Sequence, residues 1–225
     1  MPDLKVEQPK SLVAIVEERL RDAIIDAEMR LGETLSEEAL SEALGVSRTP
    51  VREALARLQL QGLVTIVPKK GTFVFAPTEE DVSELCVFRY MLETQALREC
   101  MSKAREPTLA AMKDALAAME VAQAGGSRRD YARADTVFHE VFFQHCGNRY
   151  LGNAYRGVSG RVAALRTHLS VPLEGEQERS MAEHHQMVEA FAAGRLADLD
   201  SILHRHIMRA WDAYADVLRC GEAPG

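Results

Sequence analysis

Gly45-Val46-Ser47-Arg48-Thr49-Pro50-Val51-Arg52-Glu53-Ala54-Leu55-Ala56-Arg57-Leu58 sets Val51, Ala54, Leu55 and Leu58 at helical spacing, which predicts a helix with one buried stripe. Arg48 and Arg52 lie one turn apart on another face, near the start of that helix. Ser47 is the expected N-cap. Pro50 falls in the first turn, where backbone N–H groups have no intrahelical partner to lose. The stretch reads as the turn and second helix of a helix-turn-helix, with its arginine face open to DNA.

Upstream, Val13, Val16, Leu20, Ala23 and Ile24 form an amphipathic stripe that predicts helix one. Ser36 can cap a short second helix whose first turn carries Glu37 and Glu38, with Leu40, Ala43 and Leu44 facing inward and Gly45 ending it. Downstream, Gly62 stops the third helix and two strand-like runs follow, residues 63–67 and 72–75. Pro68-Lys69-Lys70-Gly71 supplies the turn and positive charge between them. Three helices and a basic hairpin over residues 1–76 describe a winged helix. The chain carries a formal charge of -7, yet residues 43–76 hold Arg48, Arg52, Arg57, Lys69 and Lys70 against Glu53 alone. Such a local basic segment suits focused contact with phosphate and not indiscriminate coating of nucleic acid.

Pro77 and Thr78 read as a linker, 77–82 running into the first helix of a second domain that occupies residues 79–225. Six helices are expected there: 79–103, 108–124, 128–145, 149–169, 176–193 and 196–219. The breaks fall at Pro107, Gly125-Gly126, Gly147-Asn148, 172–175 and Gly194. The predicted fold class is therefore mainly α, a winged helix-turn-helix followed by an all-helical antiparallel bundle. Cys86, Cys100, Cys146 and Cys220 have no paired spacing, and no apolar run reaches the length of a membrane span. The expectation is a reduced, cytoplasmic protein without cysteine-bound zinc and without a membrane partner.

Four polar residues sit on apolar stripes of the bundle. Asp135 shares a face with Tyr131, Phe138 and Phe142, and His139 lies one turn on; His184 lies with Met181, Val188 and Phe191; His206 lies with Leu199, Ile202, Leu203 and Ala210. A lone buried carboxylate is costly, so Asp135 needs a partner, and a divalent cation would satisfy the carboxylate and imidazoles together. His185 could stand in for His184 on this evidence. Three imidazoles and one carboxylate suit Zn, Ni, Mn, Fe or Co. Arg89 is flanked by Leu85, Leu92 and Ala96 and is a candidate for binding a carboxylate, or for an ion pair with Glu93 at i+4.

Taken in order, VSRTPVREALARL, QGLV, KKGTFV, Asp135-Thr136-Val137-Phe138-His139, Glu183-His184 with Met187-Val188-Glu189-Ala190-Phe191, and His206-Ile207 resemble the GntR-type transcriptional regulators of the FadR-like branch, which carry an FCD effector domain. Six bundle helices fit the VanR-type subgroup. The resemblance implies a homodimer on a short palindromic operator. Ser47, Arg48, Thr49 and Arg52 would contact DNA, and Lys70 and Gly71 would place the wing in the minor groove. It further implies Asp135, His139, His184 and His206 as metal ligands, choosing His184 over His185, and Arg89 as the residue for a small carboxylate effector. Ligand-gated repression or activation follows as the expected function; a purely structural metal and a water-activating metalloenzyme are the rival readings, the latter disfavoured because it would not explain the winged helix. Two departures stand out. Ala27 and Leu31-Gly32 replace the usual glycine and Pro-Gly after helix one, which predicts a differently shaped loop, and Lys69-Lys70 replaces a wing pair that often carries arginine.

Overall fold

A computed structural model describes residues 11–169 and 175–220, which form two compact units, one ending at Ala76 and the other beginning at Pro77. In the first unit, α1 (Leu12–Ile25), α2 (Glu37–Leu44) and α3 (Arg48–Leu60) accompany three short strands. Ser11 caps α1 by accepting from the Ala14 N–H. Val16, Leu20, Ala23 and Ile24 of α1 are buried, as are Val51, Ala54, Leu55 and Leu58 of α3, and the two helices pack on each other. Each of the valine, leucine and isoleucine side chains contributes roughly 1.5–3 kcal/mol on full burial. α2 departs from the expected inward stripe. Leu40 and Leu44 are half-buried and Ala43 is exposed, because this eight-residue helix packs mainly against α3 and has little neighbouring surface to hide in.

Ser47 occupies the N-cap position of α3 in extended backbone, yet its hydroxyl makes no capping hydrogen bond. Pro50, the third helical residue, has no N–H to offer and so removes one of the two donors that such a cap uses. The sheet has β3 (Gly71–Val74) between β1 (Thr34–Leu35) and β2 (Val64–Val67), all antiparallel, with Val64 opposite Val74 and Leu35 opposite Thr72. The sequence reading anticipated a two-stranded wing. β1 escaped it because two residues are too few to show a period. At the wing turn the Lys70 N–H donates to the Val67 carbonyl, and Lys69 adopts a positive φ of 64°.

α1 ends without the glycine common at such a place. The Glu28 N–H donates to the Ala23 carbonyl and the Ala27 N–H to that of Ile24, the paired bonds of a Schellman motif, with Ala27 itself at φ 59°. The loop thus closes on α1 as a glycine would close it, despite the Cβ.

The second unit is a bundle of six helices among the described residues: α4 (Glu79–Lys103), α5 (Arg105–Ala124), α6 (Arg128–His145), α7 (Arg149–Leu169), α8 (Glu176–Ala192) and α9 (Leu196–Cys220). Thr78 and Asp81 form a reciprocal capping box at the start of α4, and Asn148 accepts from the Tyr150 and Leu151 N–H groups at the start of α7. Pro107 does not break the chain as expected. It sits in the first turn of α5, where the missing donor costs nothing. The expected break at 172–174, the end of the bundle beyond residue 220 and the Ala210 side chain lie outside the described residues. α6 packs on α4, α5 and α7, and α9 on α4, α7 and α8. Phe138, Phe142, Phe191, Met112, Met119, Leu97 and Leu203 fill the interior, and no described helix is long and apolar enough to cross a membrane. Burial pushes the Cys86 and Cys100 thiols up to about 11, so neither is poised for reaction or ligation.

Candidate functional site

The apolar interior of the bundle closes around a polar knot. α6 presents Asp135 and His139 one turn apart, α8 presents His184, and α9 presents His206; all four are buried, and one ligating atom from each lies within 4.8 Å of the others. His184 Nε2 is 3.0 Å from Asp135 Oδ1 and 3.4 Å from His139 Nε2, and His139 Nε2 is 3.9 Å from Asp135 Oδ1. Ligand atoms bonded to one ion at roughly 2.0–2.2 Å can be at most about 4.4 Å apart, so a slight contraction would close this set around a cation. His185 is excluded from it. That residue is exposed and pairs with Glu120 on the surface.

The outward nitrogens explain why the inward ones converge. His139 Nδ1 lies 2.7 Å from Glu93 Oε2, His206 Nδ1 lies 2.9 Å from Glu183 Oε2, and His184 Nδ1 lies 2.6 Å from the Ser180 carbonyl oxygen. Each of these oxygens only accepts, so each imidazole donates from Nδ1, which leaves Nε2 as the ring atom available to a cation. The fourth candidate ligand is fixed by Arg166, whose Nε donates to Asp135 Oδ2 and leaves Oδ1 toward the imidazoles. Burial disfavours an ionised Asp135, but Arg166, then His184 and His139, outweigh it and hold the carboxyl well below the usual carboxylate range. Burial, reinforced by the Arg89 and Arg166 charges, holds His139 well below the ordinary histidine value. Burial likewise lowers His206 against the opposing Glu183 hydrogen bond. An ionised Asp135 with His139 and His206 biased toward the neutral form is the protonation pattern that a divalent cation favours.

Arg89 is inward-facing and ion-paired at once. It is 3% exposed, and its Nε donates to Glu93 Oε1 at 2.5 Å, while its Nη2 finds no hydrogen-bond partner among the described residues. The Tyr155 hydroxyl on α7 is buried in the same condition, and Arg89 and Tyr155 are within each other's electrostatic reach. Two buried donors left unmatched are costly in a finished core and normal in a site that receives an oxygen-bearing ligand. Sequence reasoning missed Tyr155 and Arg166. Both come from α7, whose spacing gives no sign of which residues reach across to α6. Glu93 and Glu183 did leave a signal: one is the i+4 partner of Arg89 and the other precedes His184.

On the first unit, Ser47, Arg48, Thr49, Arg52 and Lys70 are exposed and Gly71 half-buried. Arg48 pairs with the exposed Glu38 of α2 at 2.6 Å, a contact easily exchanged for a phosphate. Arg57 instead reaches Glu17 of α1.

Residues 84–209 match the FCD domain model, and residues 12–74 match that of the bacterial regulatory proteins of the gntR family. This chain belongs to the GntR family, in the group that carries an FCD domain. The GntR regulator is 28% identical over 192 residues to the Nta operon transcriptional regulator of Aminobacter aminovorans, covering 84% of this chain and 88% of that one. Identity is 29% over 198 residues, 85% of both chains, with the probable D-xylose utilization operon transcriptional repressor of Paenarthrobacter nicotinovorans. A solved GntR transcriptional regulator from Rhodococcus sp. RHA1 superposes with a TM-score of 0.78 at 27% identity, over 93% of this chain and 99% of that one. The regulator is not an enzyme: its families and relatives act on transcription.

Proposed function

We propose that this GntR regulator binds a palindromic operator as a homodimer and is gated by a small organic acid at a metal-bearing centre in the bundle. The observation that carries the reading is the arrangement of the imidazoles, with Nδ1 of His139, His184 and His206 each turned to an oxygen acceptor and the Nε2 atoms of His139 and His184 gathered on Asp135 Oδ1. Asp135, His139, His184 and His206 would hold Zn, Ni, Mn, Fe or Co. When bound, the ion supplies a Lewis-acid position for a carboxylate oxygen. Arg89, with its unmatched Nη2, takes a share of the same carboxylate, and the Tyr155 hydroxyl donates to a further oxygen. Ser47, Arg48, Thr49 and Arg52 face the major groove, and Lys70 and Gly71 carry the wing into the minor groove. Two relatives named for operons, one of them a sugar-utilization repressor, agree with control of a catabolic operon.

Gating needs an effector that binds the operator-competent and incompetent states unequally, a difference of roughly 1–3 kcal/mol in known allosteric proteins. The test is operator affinity of the metal-loaded protein across mono-, di- and hydroxy-carboxylic acids, beside elemental analysis of the purified chain. A several-fold to hundred-fold shift with at least one acid is expected. Absence of stoichiometric metal, or constant affinity across the panel, would sink the reading.

A further inference from the structure

Arg89 and His139 share no hydrogen bond or ion pair among the described residues, yet one side chain holds both. Glu93, fully buried on α4, accepts from Arg89 Nε at Oε1 and from His139 Nδ1 at Oε2, at 2.5 and 2.7 Å. Resting on the metal and carboxylate roles proposed above, we propose that Glu93 is a positioning residue that links the effector arginine to the metal: anchored by Arg89, it fixes the tautomer in which His139 can ligate.

The argument is one of donors and acceptors. A carboxylate accepts at both ends, so it satisfies a guanidinium and an imidazole N–H together, and the His139 proton stays on Nδ1. His139 Nε2, the atom 3.4 Å from His184 Nε2 and 3.9 Å from Asp135 Oδ1, therefore carries a lone pair. A glutamine at 93 would have one acceptor to share. Arg89, a cation that cannot accept, would claim the amide oxygen, and the amide NH2 would face Nδ1. The ring proton would then move to Nε2, and a protonated Nε2 cannot hold a metal. The other two imidazoles lack this connection. His184 rests on a backbone carbonyl, and His206 shares Glu183 with Arg209, which reaches it at 2.6 Å. Among the described residues, Glu93 is the side chain that hydrogen-bonds both the residue expected to feel a carboxylate and a residue expected to feel the cation. By linkage, whatever an anion on Arg89 does to the metal through this carboxylate, the metal does equally to the anion.

Cobalt(II) titrations of the full chain, followed by affinity and by the visible ligand-field spectrum, test the proposal with the metal alone. E93Q is expected to weaken binding roughly 10- to 100-fold and to change the spectrum toward fewer nitrogen ligands. R89M/E93Q frees the amide to turn its oxygen to His139 and is expected to recover most of the affinity and the wild-type spectrum. Such rescue by a second loss is not the behaviour of a merely structural residue. If E93Q fails to fold, R89M/E93Q against R89M/E93M keeps the comparison, since neither buries an unpaired charge and only the former offers an oxygen to Nδ1; the former is expected to bind cobalt more tightly. Wild-type affinity and spectrum in E93Q, no rescue in R89M/E93Q, or equal affinity in the last pair would overturn the role of Glu93 and leave the metal reading standing. A wild-type chain that binds no cobalt overturns both.

Discussion

Ala27 shows how much of a turn the backbone can impose on the wrong residue. A left-handed φ of 59° pushes an alanine Cβ toward its own carbonyl, a strain of roughly 1–2 kcal/mol that glycine escapes, while the greater freedom of an unfolded glycine returns about 0.4–1 kcal/mol. Ala27→Gly is therefore expected to stabilise the winged helix by about 0.5–1 kcal/mol, read as a higher urea midpoint at unchanged slope. A lower midpoint would mean that the Schellman turn holds alanine without strain. The sequence warned that this loop was unusual but not that its shape would persist, because the hydrogen bonds from Ala27 and Glu28 back into α1 are tertiary-independent and strong enough to override the preference. The candidate ligands were legible for a different reason. Asp135, His184 and His206 interrupt apolar stripes, and a polar residue at a core position needs an explanation. Arg166 and Tyr155 interrupt nothing visible, since which face of α7 meets α6 is decided by packing and not by spacing.

At the scale of elements, α3 and the wing are expected to divide the work on DNA. α3 buries Pro50, Val51, Ala54, Leu55 and Leu58 and exposes Arg48, Thr49 and Arg52, so the arginines project from a rigid support where a fork of donors can read a base edge. Arg52→Ala is expected to lose about 1–3 kcal/mol of discrimination between operator and scrambled DNA. Lys70 sits in a three-residue turn on a short hairpin, and a point charge there touches phosphate; Lys70→Ala is expected to weaken both DNAs alike and to flatten the salt dependence by about one counterion. Fluorescence anisotropy at several salt concentrations separates the two, and unchanged binding in both variants would remove this face from consideration. The long helices were readable because their apolar period runs over many turns. β1, with two residues, and the start of α5 ahead of Pro107 were not, because a strand that short has no pattern and a proline in a first turn looks in sequence like a proline that ends a helix.

For the whole molecule, the buried centre ties stability to pH with a definite sign. His139 and His206 lie below the ordinary histidine value of 6.5, so between their folded values and 6.5 the unfolded chain binds more protons than the folded one. Their contribution is complete above about 6.5 and is lost as pH falls through that value toward the folded ones. Asp135, held well below 3.8, adds a second loss only under more acidic conditions, below its unfolded value. A divalent cation needs the same imidazoles unprotonated, a state the fold already favours, so its stabilisation falls off only as pH approaches their folded values. At free zinc about 100-fold above its dissociation constant, stabilisation is about 2.7 kcal/mol, which for a bundle of this size raises Tm by about 5–10 °C. Thermal unfolding with and without chelator is expected to show that rise at about pH 7.5, and a lower Tm for the chelated protein on acidification to about pH 5.5. Absence of a zinc increment at about pH 7.5 would mean that these histidines hold no zinc, and a chelated protein indifferent to pH would mean that His139 and His206 keep the same proton occupancy folded and unfolded.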